Sequence, residues 1–149
     1  MRAVVQRVRR AKVTVAGEAT GAIDAGLLLF VGIANGDGPA DVEYIASKTR
    51  DLRIFPDEEG RMNRSIVDCG GAVLVVSQFT LLADCRKGRR PSLDGAASGP
   101  LARALYEEVV AQLRESGLRV FTGVFQAHMD VELVNDGPVT VLLDSRRTF

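Results

Sequence analysis

The sequence has no tryptophan, two cysteines, one histidine and no net charge. Each scarcity removes a class of function. Cys69 and Cys85 are too few for a disulfide framework and lack metal-ligand spacing, which leaves a reducing compartment as the default. With His128 as the only histidine, a His-rich metal site is excluded, and a Ser-His-Asp triad would have to use that residue. Nineteen Lys and Arg balance nineteen Asp and Glu, so attraction to a polyanion must come from a local patch rather than from the whole surface. No apolar run approaches the roughly 20 residues of a membrane span, and Met1 to Arg7 lacks the apolar segment of a signal peptide. Walker-type, GxGxxG and zinc-ligand patterns, internal repeats, low-complexity tracts and linkers are also missing. These absences lead us to expect one soluble cytoplasmic domain over 1–149, with no metal, no cofactor and no membrane partner.

What is present is strand-rich at both ends. Arg2 to Val8 has a short apolar run, and Val13 and Val15 then alternate with polar residues. Asp24-Ala25-Gly26 turns the chain into Leu27 to Ile33, a continuous apolar run that reads as a strand buried on both faces. Pro39 suits the first turn of a helix reaching about Leu52, with Val42, Ile45, Ala46 and Thr49 on one face. A second helix opens at Pro100, with Ser98 or Gly99 as cap, carries the row Leu101, Leu105, Val109, Leu113, and closes at Gly117. Between them lies the strand Ala72 to Val76, and from Leu118 the chain returns to strands. Strands outnumber what two helices can separate, so the expected class is α+β: curved mixed or antiparallel sheets forming a barrel-like core, with two helices packed outside.

Near the C-terminus, Asn135-Asp136-Gly137-Pro138-Val139-Thr140 separates two apolar-alternating runs. Asp-Gly in that setting is a hairpin signal. Pro138 removes a backbone donor where the second strand would begin, and a Gly-Pro bond can be cis at modest cost. The simplest reading is a decorated hairpin turn.

Chemistry is concentrated where the central strand gives out, at Ser77-Gln78-Phe79-Thr80-Leu81. A strand end offers rigid backbone N–H groups and short hydroxyls, which suits an oxyanion site, although Ser and Thr at strand ends also satisfy nearby backbone groups. The following loop, Arg86-Lys87-Gly88-Arg89-Arg90-Pro91-Ser92, concentrates four cations. It is either a solvated loop or a rim that grips phosphates; without interleaved aromatics it would hold backbone and leave sequence unread. If Phe125, Ala127 and Met129 line a pocket, strand alternation points His128 away from it. No general base stands out.

These segments together resemble the D-aminoacyl-tRNA deacylase family. Ser77 to Leu81 is similar to its SQFTL signature and Asn135 to Thr140 to its NDGPVT signature. Arg2 to Val8, Arg53-Ile54-Phe55, Met62-Asn63, Gly70-Gly71, Lys87 to Ser92 and Gly123 to Met129 match it in order along the chain. Leu93 departs from the pattern, where many relatives have an aromatic residue after Arg-Pro-Ser. The resemblance implies a homodimer that hydrolyses the ester between a D-amino acid and the terminal ribose of tRNA, and also releases glycine, with aminoacylated tRNA and not DNA as partner. It implies that Gly137-Pro138 is cis, enters the opposite subunit's site and leaves no room for an L side chain, with Arg7 bracing it. It further implies oxyanion donors at the Phe79 and Thr80 N–H groups, Gln78 holding the strand end, and Phe125 and Met129 lining the terminal adenosine's pocket, unless these two are plain core. Thr80 is either a nucleophile or a hydrogen-bonding residue while water attacks; the second fits better, because no base is in evidence.

Overall fold

The computed structural model describes residues 1–149. The chain runs β1 (Arg2–Val15), β2 (Glu18–Ile23), β3 (Gly26–Gly32), α1 (Pro39–Asp51), β4 (Phe55–Pro56), β5 (Met62–Arg64), α2 (Ile66–Cys69), β6 (Ala72–Ser77), a 3₁₀ turn (Phe79–Leu82), α3 (Gly99–Glu115), β7 (Arg119–Thr122) and β8 (Asp130–Asp144). β4 and β5 form a small ribbon. The other six strands make one mixed sheet in the order β2-β1-β3-β6-β7, with β8 also paired to β1. The pairs β3–β6 and β6–β7 are parallel, and all pairs of β1 are antiparallel.

The sheet curls until its edges nearly meet, as the barrel-like expectation requires. Gly21 on β2 shows how close they come: a Cβ there would stand 2.7 Å from the Thr122 carbonyl oxygen of β7 and 2.9 Å from Leu74 Cδ1. Only a glycine lets the two edges approach this far.

Burial follows from alternation on the two sides of this curl. Leu27, Leu29 and Val31 of β3 and Val73 and Val75 of β6 join the larger core beneath α1 and α3. Leu28 of β3 and Ala72, Leu74 and Val76 of β6 join a second cluster with Val8, Ala11, Val13 and Ile23. The unbroken apolar runs of both strands are thereby explained, because each face has its own core. β1 contributes Ala3 and Val5 to the first core but Val8, Ala11 and Val13 to the second. It changes sides where its pairing with β8 slips, between Gln6 and Arg10.

α1 buries Val42, Ile45, Ala46 and Thr49, the face its sequence shows, and starts with Pro39 in the first turn and the Asp41 carboxylate accepting the Gly38 N–H at 2.9 Å. α3 buries Ala102, Leu105, Tyr106, Val109, Val110 and Leu113. Leu101 does not belong to that row: it is 56% exposed, because the buried face drifts around the helix from its first turn. There is also a third helix. α2 is a single turn held by a Ser65–Asp68 capping box and ended by Gly70 in the left-handed region, and it is too short to show periodicity.

The largest departure is at Asn135–Thr140, where no hairpin exists. Both flanking runs belong to β8, one strand of 15 residues antiparallel to β1. Val8 pairs with Asn135 and Gln6 with Thr140, so Arg7 alone stands opposite Asp136 to Val139, which bulge from an otherwise continuous ladder.

Candidate functional site

A cavity of about 630 Å³ opens where β6 ends. Val76, Ser77, Gln78 and Phe79 form one wall, and Ala96, Ala97 and Ser98 ahead of α3 form another. The segment before β8 supplies the third, including Phe125, His128 and Met129. Thr80 lies just outside this lining and is exposed.

The first wall is placed by backbone. Gln78 N–H donates to the Val31 carbonyl at 2.8 Å, and the 3₁₀ turn begins with Leu81 N–H donating to the Gln78 carbonyl at 3.2 Å. The N–H groups of Phe79 and Thr80 precede that first bond, so the turn itself leaves both unused. Gly32 permits the packing: a Cβ there would stand 2.5 Å from Leu82 Cδ2 and 2.8 Å from the Gln78 carbonyl oxygen. The Gln78 side-chain amide donates to the Thr80 hydroxyl. An amide nitrogen cannot take a proton, so this contact orients the hydroxyl without activating it.

The ring of Phe125 is clamped. The Arg103 guanidinium sits 4.9 Å from its centroid, and the Tyr106 ring 5.7 Å away. Tyr106 is anchored in turn by its hydroxyl, which donates to the Val75 carbonyl at 2.9 Å, and burial pushes its phenol up to about 12. Met129 enters the wall because Gly123 has no Cβ, which would stand 2.6 Å from Met129 Sδ. Phe125 and Met129 are thus cavity wall and, by their other contacts, partly core.

His128 is not on the far side. Gln126 has a φ of 65°, Phe125 to Ala127 is a turn and bend, and no strand begins before Asp130, so strand alternation does not apply and His128 reaches the rim beside Phe125 and Met129.

The Gly137-Pro138 segment is built differently. Its peptide bond is cis and Gly137 has a φ of 148°. The Asn135 side chain spans the bulge, accepting from Val139 N–H at 2.7 Å and donating to the Val139 carbonyl at 3.1 Å. Arg7 Nε donates to the Asp136 carbonyl at 2.9 Å, a second guanidinium nitrogen donates to the Ile54 carbonyl, and Arg7 and Arg9 both pair with the Asp136 carboxylate. Every side chain of the segment but Pro138 is held, while Gly137 and Pro138 themselves are exposed. Within one chain the two signatures are not brought together: none of Arg7, Gly137 and Pro138 lines the cavity.

In the basic loop, Arg86 is not a free cation. Asp84 holds it at 2.6 and 2.9 Å, and the same hydrogen bonds hold the Asp84 carboxyl far below the usual carboxylate range. Lys87, Arg89 and Arg90 are exposed and have no carboxylate partner. The loop's base is pinched by the paired bonds between Asp84 and Ser92, at 2.8 and 3.0 Å.

Sequence reasoning gave no role at the site to Gly32, to the Asn135 side chain or to Ser98, which it named only as a candidate helix cap. A glycine inside an apolar strand is a known sign of close backbone approach and could have flagged Gly32. Ser98 gave no such sign: it stands at the N-cap position of α3 without a capping hydrogen bond from its side chain.

Residues 4–144 match the family model described as D-Tyr-tRNA(Tyr) deacylase. The chain is 60% identical over 149 residues to the D-aminoacyl-tRNA deacylase of Koribacter versatilis, covering 100% of both. It is 59% identical to that of Thermus aquaticus, covering 97% of this chain and 95% of the relative. Among solved structures, a protein described as c-Myc DNA Unwinding Element Binding Protein superposes with a TM-score of 0.91 at 40% identity, covering 97% of this chain and 98% of that one. A structure described as that of a probable eukaryotic D-amino acid tRNA deacylase shares the fold, with a TM-score of 0.81 at 16% identity over 95% and 97% of the two chains. A full-length family match, together with a cavity edged by Ser77, Gln78 and Phe79, shows that this chain belongs to the D-Tyr-tRNA(Tyr) deacylase family.

Proposed function

We propose that this chain, a hydrolase acting on ester bonds, cleaves the ester of D-aminoacyl-tRNA to release free D-amino acid and tRNA, in the cytoplasm and as a homodimer. The observation that carries the reading is the pair of unused N–H groups at Phe79 and Thr80, at the edge of an apolar-walled cavity. As water attacks the acyl carbon, negative charge develops on the carbonyl oxygen, and two fixed donors there stabilise it without reorganisation. The ribose oxygen leaves with the acyl carbon's bonding pair and takes up a proton, so the products are a carboxylic acid and a tRNA hydroxyl. Thr80 hydrogen-bonds the reacting groups and Gln78 holds Thr80; Ser77 continues the same wall. Phe125 and Met129 would take the terminal adenosine, and Lys87, Arg89 and Arg90 the tRNA backbone.

The chirality filter would be the Gly137-Pro138 segment of a second copy. Its exposure, and its absence from the cavity of its own chain, support an action across subunits. A filter made of backbone rejects an L side chain by steric exclusion and cannot reject glycine, which has nothing to clash. Glycyl-tRNA would therefore be a second substrate.

The test is hydrolysis of D-tyrosyl-, L-tyrosyl- and glycyl-tRNA by the purified protein. The D and glycyl esters should be cleaved and the L ester spared; equal rates on both enantiomers would end the filter reading. Thr80→Ala should keep kcat within about tenfold, the scale of a lost hydrogen bond. Loss of all turnover would make Thr80 the nucleophile.

A further inference from the structure

The 3₁₀ turn that offers Phe79 and Thr80 N–H groups at one end must have its last carbonyls satisfied at the other. Arg2 does this: its Nη1 donates to the Leu81 carbonyl at 3.2 Å, across 79 residues of sequence. Its Nε donates to Asp144 Oδ2 at 3.3 Å, which fixes the plane of the guanidinium. Asp144 is itself 5% exposed and also accepts from the Arg146 N–H at 2.8 Å and from the Thr148 hydroxyl. Arg2 therefore ties the first residue of β1 and the last residue of β8 to the back of the turn.

The bonding inside the turn gives this contact a direction. The peptide whose carbonyl Arg2 binds carries the Leu82 N–H, and the 3₁₀ pattern of the turn, framed by the bonds Leu81 N–H to Gln78 carbonyl and Ala83 N–H to Thr80 carbonyl, directs that N–H to the Phe79 carbonyl. The Phe79 carbonyl belongs to the same peptide unit as the Thr80 N–H. A cation thus stands at one end of a two-peptide relay, and a candidate oxyanion donor at the other. Peptides linked in series polarise one another by about 10–30% per bond, in the sense that makes the terminal N–H a stronger donor when a cation sits at the far carbonyl.

We propose that Arg2 is a positioning residue for the deacylation reaction, holding the turn in place and strengthening the Thr80 N–H through the Leu81–Leu82 and Phe79–Thr80 peptides. The proposal rests on the oxyanion reading given above. Lysine should not replace it fully, because one ammonium cannot present two donors in the plane shared by Leu81 and Asp144.

The test uses the full chain with Arg2→Met and Arg2→Lys. Two readouts are taken: the amide proton shift of Thr80 by NMR, and kcat and KM on D-tyrosyl-tRNA. In Arg2→Met the Thr80 amide should move upfield and kcat should fall roughly five- to tenfold, less than the ~10²-fold of a donor removed outright, with KM unchanged. Arg2→Lys should recover part of both, and millimolar guanidinium should raise kcat of Arg2→Met. An unmoved Thr80 amide, or a lower melting temperature with kcat intact, would overturn the proposal. If the unaltered protein cleaves no D-aminoacyl ester, the deacylase reading fails instead, and the amide shift still decides whether the relay exists. If Arg2→Met does not fold, Arg2→Lys gives the same two readouts.

Discussion

The turn Phe79–Leu82 and the bulge Asp136–Val139 both depart from regular strand structure and both leave backbone exposed, yet they are held in opposite ways. The turn is placed by what is missing and by main-chain bonds: Gly32 leaves space for it, and Val31 and Gln78 bond within the backbone. The bulge is placed by side chains, with Asn135 across its neck and Arg7 beneath it. The first edges a cavity of its own chain; the second has Gly137 and Pro138 exposed and lines no part of that cavity. Backbone seated in a packed groove is sensitive to added volume. A clamped protrusion is sensitive to the loss of a donor or acceptor.

The largest effect should follow from adding volume beneath the turn. Gly32→Val places atoms where the Gln78 carbonyl and Leu82 now stand, so the turn must move. A misplacement of about 1 Å can cost roughly 10²-fold in rate, and overpacking of this kind costs about 1–3 kcal/mol of stability. Single-turnover hydrolysis and urea unfolding measure the two. Activity within tenfold of the parent would show that the turn is held by something other than the fit against β3.

Next comes the clamp. Arg7→Ala removes the donors to the Asp136 and Ile54 carbonyls and leaves Asp136 paired only with the more exposed Arg9. Its stability cost should be about 1–3 kcal/mol, the penalty for unsatisfied half-buried carbonyls. The sharper reading is functional: the ratio of D to L hydrolysis should drop at least about tenfold, the equivalent of some 1.4 kcal/mol, while turnover of glycyl-tRNA, which needs no filter, stays within a few-fold. If both substrates lose rate together, the bulge acts in catalysis and the comparison drawn above is wrong.

What the sequence shows and hides follows the same division. The buried face of α1 and the two-sided burial of β3 depend on local periodicity, which survives folding unchanged. Period-2 alternation on either side of Asn135–Thr140 is the same whether the chain reverses there or continues, and only the length of β1, a distant partner, decides. His128 went astray for a related reason: alternation holds inside a strand, and the left-handed Gln126 lies outside one. The wall at Ser77 to Phe79 was legible because an apolar strand visibly gives out. Its partner at Ala96 to Ser98 was not, because long-range backbone pairing brings it in, with Ala97 N–H donating to the Ile33 carbonyl at 2.9 Å. The residues left the Gly137-Pro138 bond open to either isomer, and only the resemblance selected cis.

The smallest effect lies in the basic loop and separates cations that composition treats alike. Arg86 is forked onto Asp84 and cannot at once fork onto a phosphate, whereas Arg89 and Arg90 have no such partner. Each phosphate contact contributes about 0.7–0.9 to the slope of log K against log salt. Arg89→Ala or Arg90→Ala should therefore lower the slope for charged tRNA by about that amount and weaken binding with little change in the D-to-L ratio. Arg86→Ala should leave the slope where it was, because no contact is lost. The decisive variant is Asp84→Ala, which frees Arg86 and should raise the slope by about one contact. If Asp84→Ala leaves the slope unchanged while Arg86→Ala lowers it, Arg86 already meets phosphate in the complex, its fork on Asp84 opens on binding, and the loop is not fixed in the way its free structure shows.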